Sequence, residues 1–360
     1  MRKSSSAAPV SRPSAGSPVG IAARLTTFVL ERYPFALPLV QRIADRADDP
    51  AALLAGLDNV LGELDAGDLP DPTPGVSAGE RLAHARGELR EACVGFLERD
   101  AIARSLSADE RREILRGMVL TRAVDNRLKQ FFLGSDIKYR DTPFQGKGFR
   151  SLGQEAIYAA AIRLHRGRRY RGDDGTWRGD VVGPIIRDLG VALAMREGTG
   201  IGEAVRQVLN AQMGKDGPPM SGKDLHTGDF TWGVLPASAP LAVSTLTLAG
   251  MAMAFSRDRA DRVAVSFIGE GGSSLGEWHE AINLCAARRL PIVFCIENNQ
   301  TALSTPVAAN SAARVFADKG AGYGIPGITI DGTDPDAIAA AFTWASIAVR
   351  LSEKTGSVNS

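Results

Sequence analysis

The stretch from Val263 to Thr301 constrains the fold more than any other part of the chain. Val263-Ala264-Val265-Ser266-Phe267-Ile268 is a short run of β-branched and aromatic residues leading into Gly269-Glu270-Gly271-Gly272. A second run, Pro291 to Ile296, leads into Glu297-Asn298-Asn299. Between them, Leu275 to Arg289 places Trp278, Ile282 and Cys285 at helical spacing. Strand, helix and strand in that order make a βαβ unit, which builds a parallel sheet and binds ligands just beyond the carboxyl ends of its strands. Glu270 ends the first strand and Asn299 follows the second, so both side chains can reach one crevice. A carboxylate and an amide oxygen there are hard ligands suited to magnesium. The flanking glycines are expected to let a phosphate-bearing group approach the backbone, with the next helix N-terminus aimed at it.

The rest of the chain must supply the remainder of that sheet and its helical cover. With 360 residues, 44% of them hydrophobic and 23% charged, it can bury a full core. A net charge of +1, with the two signs interspersed, gives no basic field for nucleic acid. Cys93, Cys285 and Cys295 form no metal-type pair, and their odd number without a signal-peptide pattern points to a reducing compartment, the cytoplasm. Phe230 to Ser256 carries no charge, but Pro236 and Pro240 interrupt it and Leu241 to Phe255 falls short of the ~20 residues that span a bilayer. It reads as a buried core helix.

Taken in order, residues 1–20 are rich in Ser, Ala, Pro and Gly without an acidic residue, the composition of a disordered tail. A mitochondrial transit peptide shares that composition and is the alternative. Residues 21–104 carry amphipathic patterns at Ala23–Tyr33, Ala51–Leu64 and Arg81–Leu97, expected to form a helical extension. Residues 105–351 form the expected α/β domain, a parallel sheet flanked by helices. Ser107-x-x-Glu110 is a capping box, Gln154 to Leu164 is alanine-rich and helical, and Arg166 to Asp180 reads as a solvated loop. Val181 to Ile186 is a short apolar run reaching Arg187, and Leu189 to Met195 returns to helix. The Gly/Pro/Lys loop Gly214 to Gly228, with His226, is a candidate flap. Ile328 to Ile330 reads as a further strand, and Asp334 with Pro335 starts a last helix that fades into a tail at 352–360.

From Met118 to Leu351 these residues resemble the alpha subunit of the thiamine-diphosphate-dependent 2-oxoacid dehydrogenases, the first component of the pyruvate and branched-chain complexes. Leu120-Thr121-Arg122 with Asp125, Gly153-Gln154-Glu155-Ala156, Arg187, Ala239-Pro240-Leu241, and Gly269-Glu270-Gly271 paired with Asn298-Asn299 follow that family's motifs in order. The resemblance implies a thiamine-diphosphate-binding fold. It implies that Arg187 holds the diphosphate, that Pro240 and Leu241 lie against the thiamine, and that Gly269, Glu270, Gly271, Gly272 and Asn299 line the cofactor. Glu270, Asn299 and the Thr301 carbonyl would then ligate magnesium. It further implies oxidative decarboxylation of a 2-oxoacid, acyl transfer to a lipoyl-bearing acyltransferase core, and a beta subunit that completes the active site in a heterotetramer. Glu270 in place of the commoner Asp leans towards branched-chain members.

Three departures accompany the match. Ile185 and Ile186 precede Arg187 where the family commonly has a hydrogen-bonding residue, and Ala239 replaces a Ser. Family chains continue into a loop with a histidine facing the cofactor; here the four histidines are His84, His165, His226 and His279, and none holds that position. This implies no catalytic residue of that kind and, as an alternative function, a truncated, catalytically impaired cofactor-binding or assembly protein.

Two other motifs compete for the same residues. As a dinucleotide fingerprint, Gly269-x-Gly271-x-x-Ser274 lacks its third glycine and the later acidic residue. His279-Glu280 imitates a zinc-protease helix, but Asn283 stands where the second His must be, so His279 is expected to be structural, like the buried Cys285 and Cys295. Gln154 and Glu155 are expected to hold the domain together.

Overall fold

Apolar periodicity alone separates an all-helical stretch from an alternating one, and the computed structural model, which describes residues 20–69, 74–134, 137–143, 152–223 and 227–355, separates them too. Met1–Ala101 and Ile102–Ser360 form two compact units. The boundary falls inside a helix.

The first unit holds α1 (Ile21–Arg32), α2 (Leu37–Ala44), α3 (Pro50–Leu61) and most of α4 (Ala78–Arg104). Asp49 caps α3 by accepting from the Ala51 and Ala52 amides, and Pro50 stands at the first helical position, where its missing N–H costs nothing. The apolar stripes of the four helices close over Leu25, Val29, Val40, Leu53, Leu57 and Leu89, a core separate from that of the second unit.

The second unit opens with α5 (Ala108–Leu133). Its capping box forms as expected: the Glu110 amide donates to Ser107 Oγ at 3.2 Å and the Ser107 amide to Glu110 Oε2 at 2.7 Å. After a small antiparallel pair, β1 (Lys138–Tyr139) and β2 (Thr142–Pro143), the alanine-rich segment forms a 3-10 helix at Glu155–Ala161 rather than an α-helix. All seven of its residues are buried, so packing on every side, and not one amphipathic face, holds it.

The central sheet comprises β3 (Val181–Gly183), β4 (Ala264–Gly269) and β5 (Ile292–Glu297), in that order and all parallel. Val181 pairs with Ala264, and Gly269 with Glu297. β4, buried from Ala264 to Ile268, is the central strand, which is why it reads as an unbroken apolar run. Between β3 and β4 come α6 (Leu189–Ala194), α7 (Ile201–Gln212) and α8 (Val243–Arg257), the last being the expected buried core helix, with Leu248, Ala249 and Ala252 inaccessible. Among the described residues no helix is long and apolar enough to cross a membrane. α9 (Gly276–Arg288) connects β4 to β5 and buries Trp278, Ile282 and Cys285, as their spacing predicts. A second small pair, β6 (Thr301–Ala302) and β7 (Thr305–Pro306), follows.

Asp334 then caps α10 (Pro335–Thr355), accepting from the Asp336 amide at 2.9 Å and the Ala337 amide at 3.3 Å. The helix runs to Thr355, into the segment read as a tail. The strand expected at Ile328–Ile330 does not form: the segment is irregular and Thr329 is exposed, with no ladder beside it to pair with. Arg166–Asp180 is the solvated loop expected along most of its length, with Arg168, Arg169, Arg171, Asp173, Asp174, Thr176 and Arg178 exposed. Its two ends are buried, with Arg166 donating to the Ala194 carbonyl at 2.6 Å and Asp180 accepting the Val263 and His165 amides at 2.7 Å each.

Candidate functional site

A parallel sheet sends every strand out of the same edge, and here that edge gathers one cation and three carboxyl groups. β4 ends at Gly269, so Glu270 is the first residue beyond it; its amide donates to the Glu297 carbonyl at 3.3 Å, which sets it beside the last residue of β5. Arg187 follows β3 by four positions and folds back across the edge. Its Nη2 donates to the Glu297 carbonyl at 2.9 Å and lies 3.8 Å from Glu270 Oε2, while Nε lies 3.4 Å from Glu297 Oε2.

Burial makes this cluster unusual. Glu270 is 1% exposed, and its Oε1 is buried without a hydrogen-bond partner. A buried carboxylate oxygen left bare costs ~1–3 kcal/mol or more, so a site that keeps one has a use for it. Asp188 is wholly buried; its Oδ2 accepts from the Ile185 amide at 2.7 Å. Burial first, then the negative charge of Glu297, push the Asp188 carboxyl well above the usual range. Burial thus favours the neutral form of Asp188, and it raises Glu297 as well.

The glycines of the turn allow close packing within the protein. A Cβ at Gly269 would lie 3.0 Å from Arg187 Nη2, one at Gly271 would lie 2.5 Å from Ala302 Cβ, and one at Gly272 would lie 2.8 Å from Ile268. The space beside each is taken by the protein itself. The glycines let Arg187, the β6 segment and β4 close on the Glu270 turn. The following helix does not start at this turn; a 3-10 turn, Gly272–Ser274, precedes α9.

Of the residues singled out from sequence, Arg187, Gly269, Glu270, Gly272 and Leu241 come together, Leu241 Cδ1 lying 3.6 Å from where a Gly272 Cβ would be. Leu241 and Pro240 are exposed. Gly271 packs on Ala302. Asn299 and Thr301 leave the same edge but are exposed and bond within their own loop, Asn299 Oδ1 accepting from the Thr301 amide at 3.2 Å and Thr301 Oγ1 donating to the Leu303 carbonyl at 3.0 Å. His226 lies outside the described residues. Glu155 ties α5 to the 3-10 helix through Arg122 and accepts the Gly153 amide. His279 bonds the Tyr323 hydroxyl, a structural contact between α9 and the 3-10 helix Phe316–Tyr323.

Sequence reasoning missed Asp188 and Glu297 as members of the cluster. Their only signal is adjacency, Asp188 to Arg187 and Glu297 to the Asn pair. Beside Asp188 a small cleft is bordered by Asp125, Ile185, Ile186, Gln212 and Ala237.

The donor set fits a diphosphate with a divalent cation: one guanidinium for the anion, bare buried carboxylate oxygens on Glu270, Glu297 and Asp188 of which that of Glu270 suits the cation, and two further oxygen-bearing residues on a loop just outside. Comparison with known proteins gives the lineage. The family model described as Dehydrogenase E1 component matches residues 174–355, just over half of the chain and all of this edge.

The chain belongs to the dehydrogenase E1 component family.

This E1 component is 31% identical over 237 residues to the 2-oxoisovalerate dehydrogenase subunit alpha of Bacillus subtilis, covering 65% of this chain and 64% of that one. It is 46% identical over 99 residues to the 3-methyl-2-oxobutanoate dehydrogenase subunit alpha of Mycobacterium tuberculosis, which covers 28% of this chain and 27% of the relative. A third relative, the pyruvate dehydrogenase E1 component subunit alpha of Staphylococcus aureus, is 43% identical over 90 residues, 25% of this chain and 24% of that one. The chain therefore spans less than two thirds of these curated relatives.

Proposed function

We propose that this chain is the alpha component of a 2-oxoacid dehydrogenase that binds thiamine diphosphate and magnesium, decarboxylates a 2-oxoacid and passes the acyl unit to a lipoyl-bearing acyltransferase core. The observation that carries this reading is the bare, buried Glu270 oxygen beside Arg187 at the carboxyl edge of a parallel sheet. Arg187 would hold the diphosphate, fixed in place by the Glu297 carbonyl and carboxylate. Glu270, with Asn299 and the Thr301 carbonyl, would hold the magnesium. The Asn299 side chain would turn away from the Thr301 amide to do so. Leu241 and Pro240, exposed next to Gly272, would pack against the thiamine. Thiamine diphosphate supplies an electron sink for the loss of carbon dioxide.

Burial favours the neutral form of Asp188, which limits the negative charge beside the anion-binding Arg187. A beta subunit would complete the active site, and the three free cysteines suit a reducing compartment such as the cytoplasm. Purified with a beta partner, the chain should reduce an electron-accepting dye when given a 2-oxoacid, with Glu270→Gln abolishing the signal. A complex that takes up no thiamine diphosphate would overturn the assignment. Cofactor uptake without turnover on any common 2-oxoacid would assign a binding or assembly role.

A further inference from the structure

Behind the Glu270 turn stands a cation that the proposed chemistry does not use. Lys319 lies on the 3-10 helix Phe316–Tyr323, 46 positions from Ser273, yet its Nζ donates to both the Ser273 carbonyl at 2.9 Å and Ser273 Oγ at 3.0 Å. Ser273 is wholly buried, and its hydroxyl passes the chain on by donating to the Glu270 carbonyl at 2.7 Å. An ammonium, a hydroxyl and the carbonyl of the site carboxylate's own residue thus form one directed relay, in which each bond polarises the next.

Lys319 has no carboxylate within ion-pair reach among the described residues; both of its acceptors are neutral oxygens. The Phe316 ring centroid lies 5.1 Å from Nζ, and burial lowers the ammonium's pKa. Partly burying a lysine without a counter-charge is unfavourable. A solvated lysine elsewhere on the 3-10 helix would avoid that cost. What the position offers is grip: a turn of three glycines with one serine, Gly269 to Ser273, has little side chain to hold its shape.

We propose that Lys319 is the positioning residue of the Glu270 turn: through Ser273 it fixes the backbone from Glu270 to Ser273, so that the Glu270 carboxylate is held aimed at the metal–diphosphate position beside Arg187. This rests on the cofactor assignment above and adds a residue to it that touches neither the metal nor the diphosphate.

Lys319→Met and Lys319→Arg in the full chain, purified with its beta partner, test it with two readouts. The first is amide hydrogen exchange of the peptide spanning the Glu270 turn; the second is the dissociation constant for magnesium thiamine diphosphate by calorimetry. Loss of a charge-assisted bond should, in Lys319→Met, speed exchange in that peptide and weaken cofactor binding, each about tenfold, with the exchange of β3 and α10 unchanged. Lys319→Arg should restore both. Faster exchange with unchanged affinity would overturn the positioning role and leave Lys319 a structural clamp; unchanged exchange would overturn the relay itself. If the unsubstituted protein binds no cofactor, the functional assignment fails separately, and the exchange readout still decides the relay.

Discussion

The two edges of the central sheet carry buried carboxylates of opposite kinds. At the amino edge Asp180 is wholly buried and fully partnered: Oδ1 accepts the Val263 amide, Oδ2 accepts the His165 amide, and Arg350 of α10 pairs with it. At the carboxyl edge Glu270 is equally buried, but one oxygen is bare and the other is only within 3.8 Å of Arg187. Both are acids taken out of water beside an arginine. Asp180 stitches β3, β4 and α10 together, and everything it could bond to is already there. Glu270 leaves a bond unmade, which costs stability at that edge and suits the ligand position proposed for it.

That contrast predicts opposite responses to substitution. Asp180→Ala leaves two amides without their acceptor and takes from Arg350 its buried carboxylate, leaving it only Asp261, and should cost ~3–5 kcal/mol in denaturant unfolding monitored by circular dichroism. A cost under ~1 kcal/mol would mean that the amino edge is no better satisfied than the other. Glu270→Gln should leave the unfolding free energy unchanged or raise it by up to ~1 kcal/mol, because the carboxylate it removes is incompletely bonded. A loss as large as that of Asp180→Ala would contradict the reading of Glu270 as held for a ligand.

Ser107→Ala, which touches neither edge, should cost ~1 kcal/mol through the α5 cap and leave cofactor affinity alone, giving the scale for an ordinary structural loss. The smallest effect belongs to Glu110, whose pKa is lowered from 4.5 to about 2, first by its hydrogen bond from Arg163. A carboxyl depressed in the folded state contributes stability that is fully present above 4.5 and is lost as pH falls towards 2. Glu110→Gln should therefore flatten the acid limb of the stability–pH curve over that window. An unchanged limb would assign acid sensitivity to other carboxyls.

The same two edges explain what could be read from sequence. α9 was legible from its helical spacing, β4 and β5 from their continuous apolar runs bounded by Gly and Asn, and the caps at Ser107 and Asp334 because a cap is a local bond between residues two or three positions apart. Arg187 and Glu270 were legible from their places at strand ends. Asp180, Asp188 and Glu297 were not, since whether a carboxyl is a solvated charge, a strut or a proton holder depends on burial that only the packed sheet creates. Ile328–Ile330 misled for the converse reason: its apolar residues suit a strand, but no neighbouring strand lies beside it. At the glycines of the turn, the packing of Arg187 and Ala302 against Gly269 and Gly271 was not legible, because it depends on residues distant in sequence.

The central claim is that the carboxyl edge is kept open for a metal–diphosphate group. Its most direct test is calorimetric titration of magnesium thiamine diphosphate into the chain bound to its beta partner, with and without Glu270→Gln. The account predicts magnesium-dependent binding at one site per alpha chain, weakened at least about tenfold by the substitution. Equal binding by both proteins, or binding indifferent to magnesium, would contradict it.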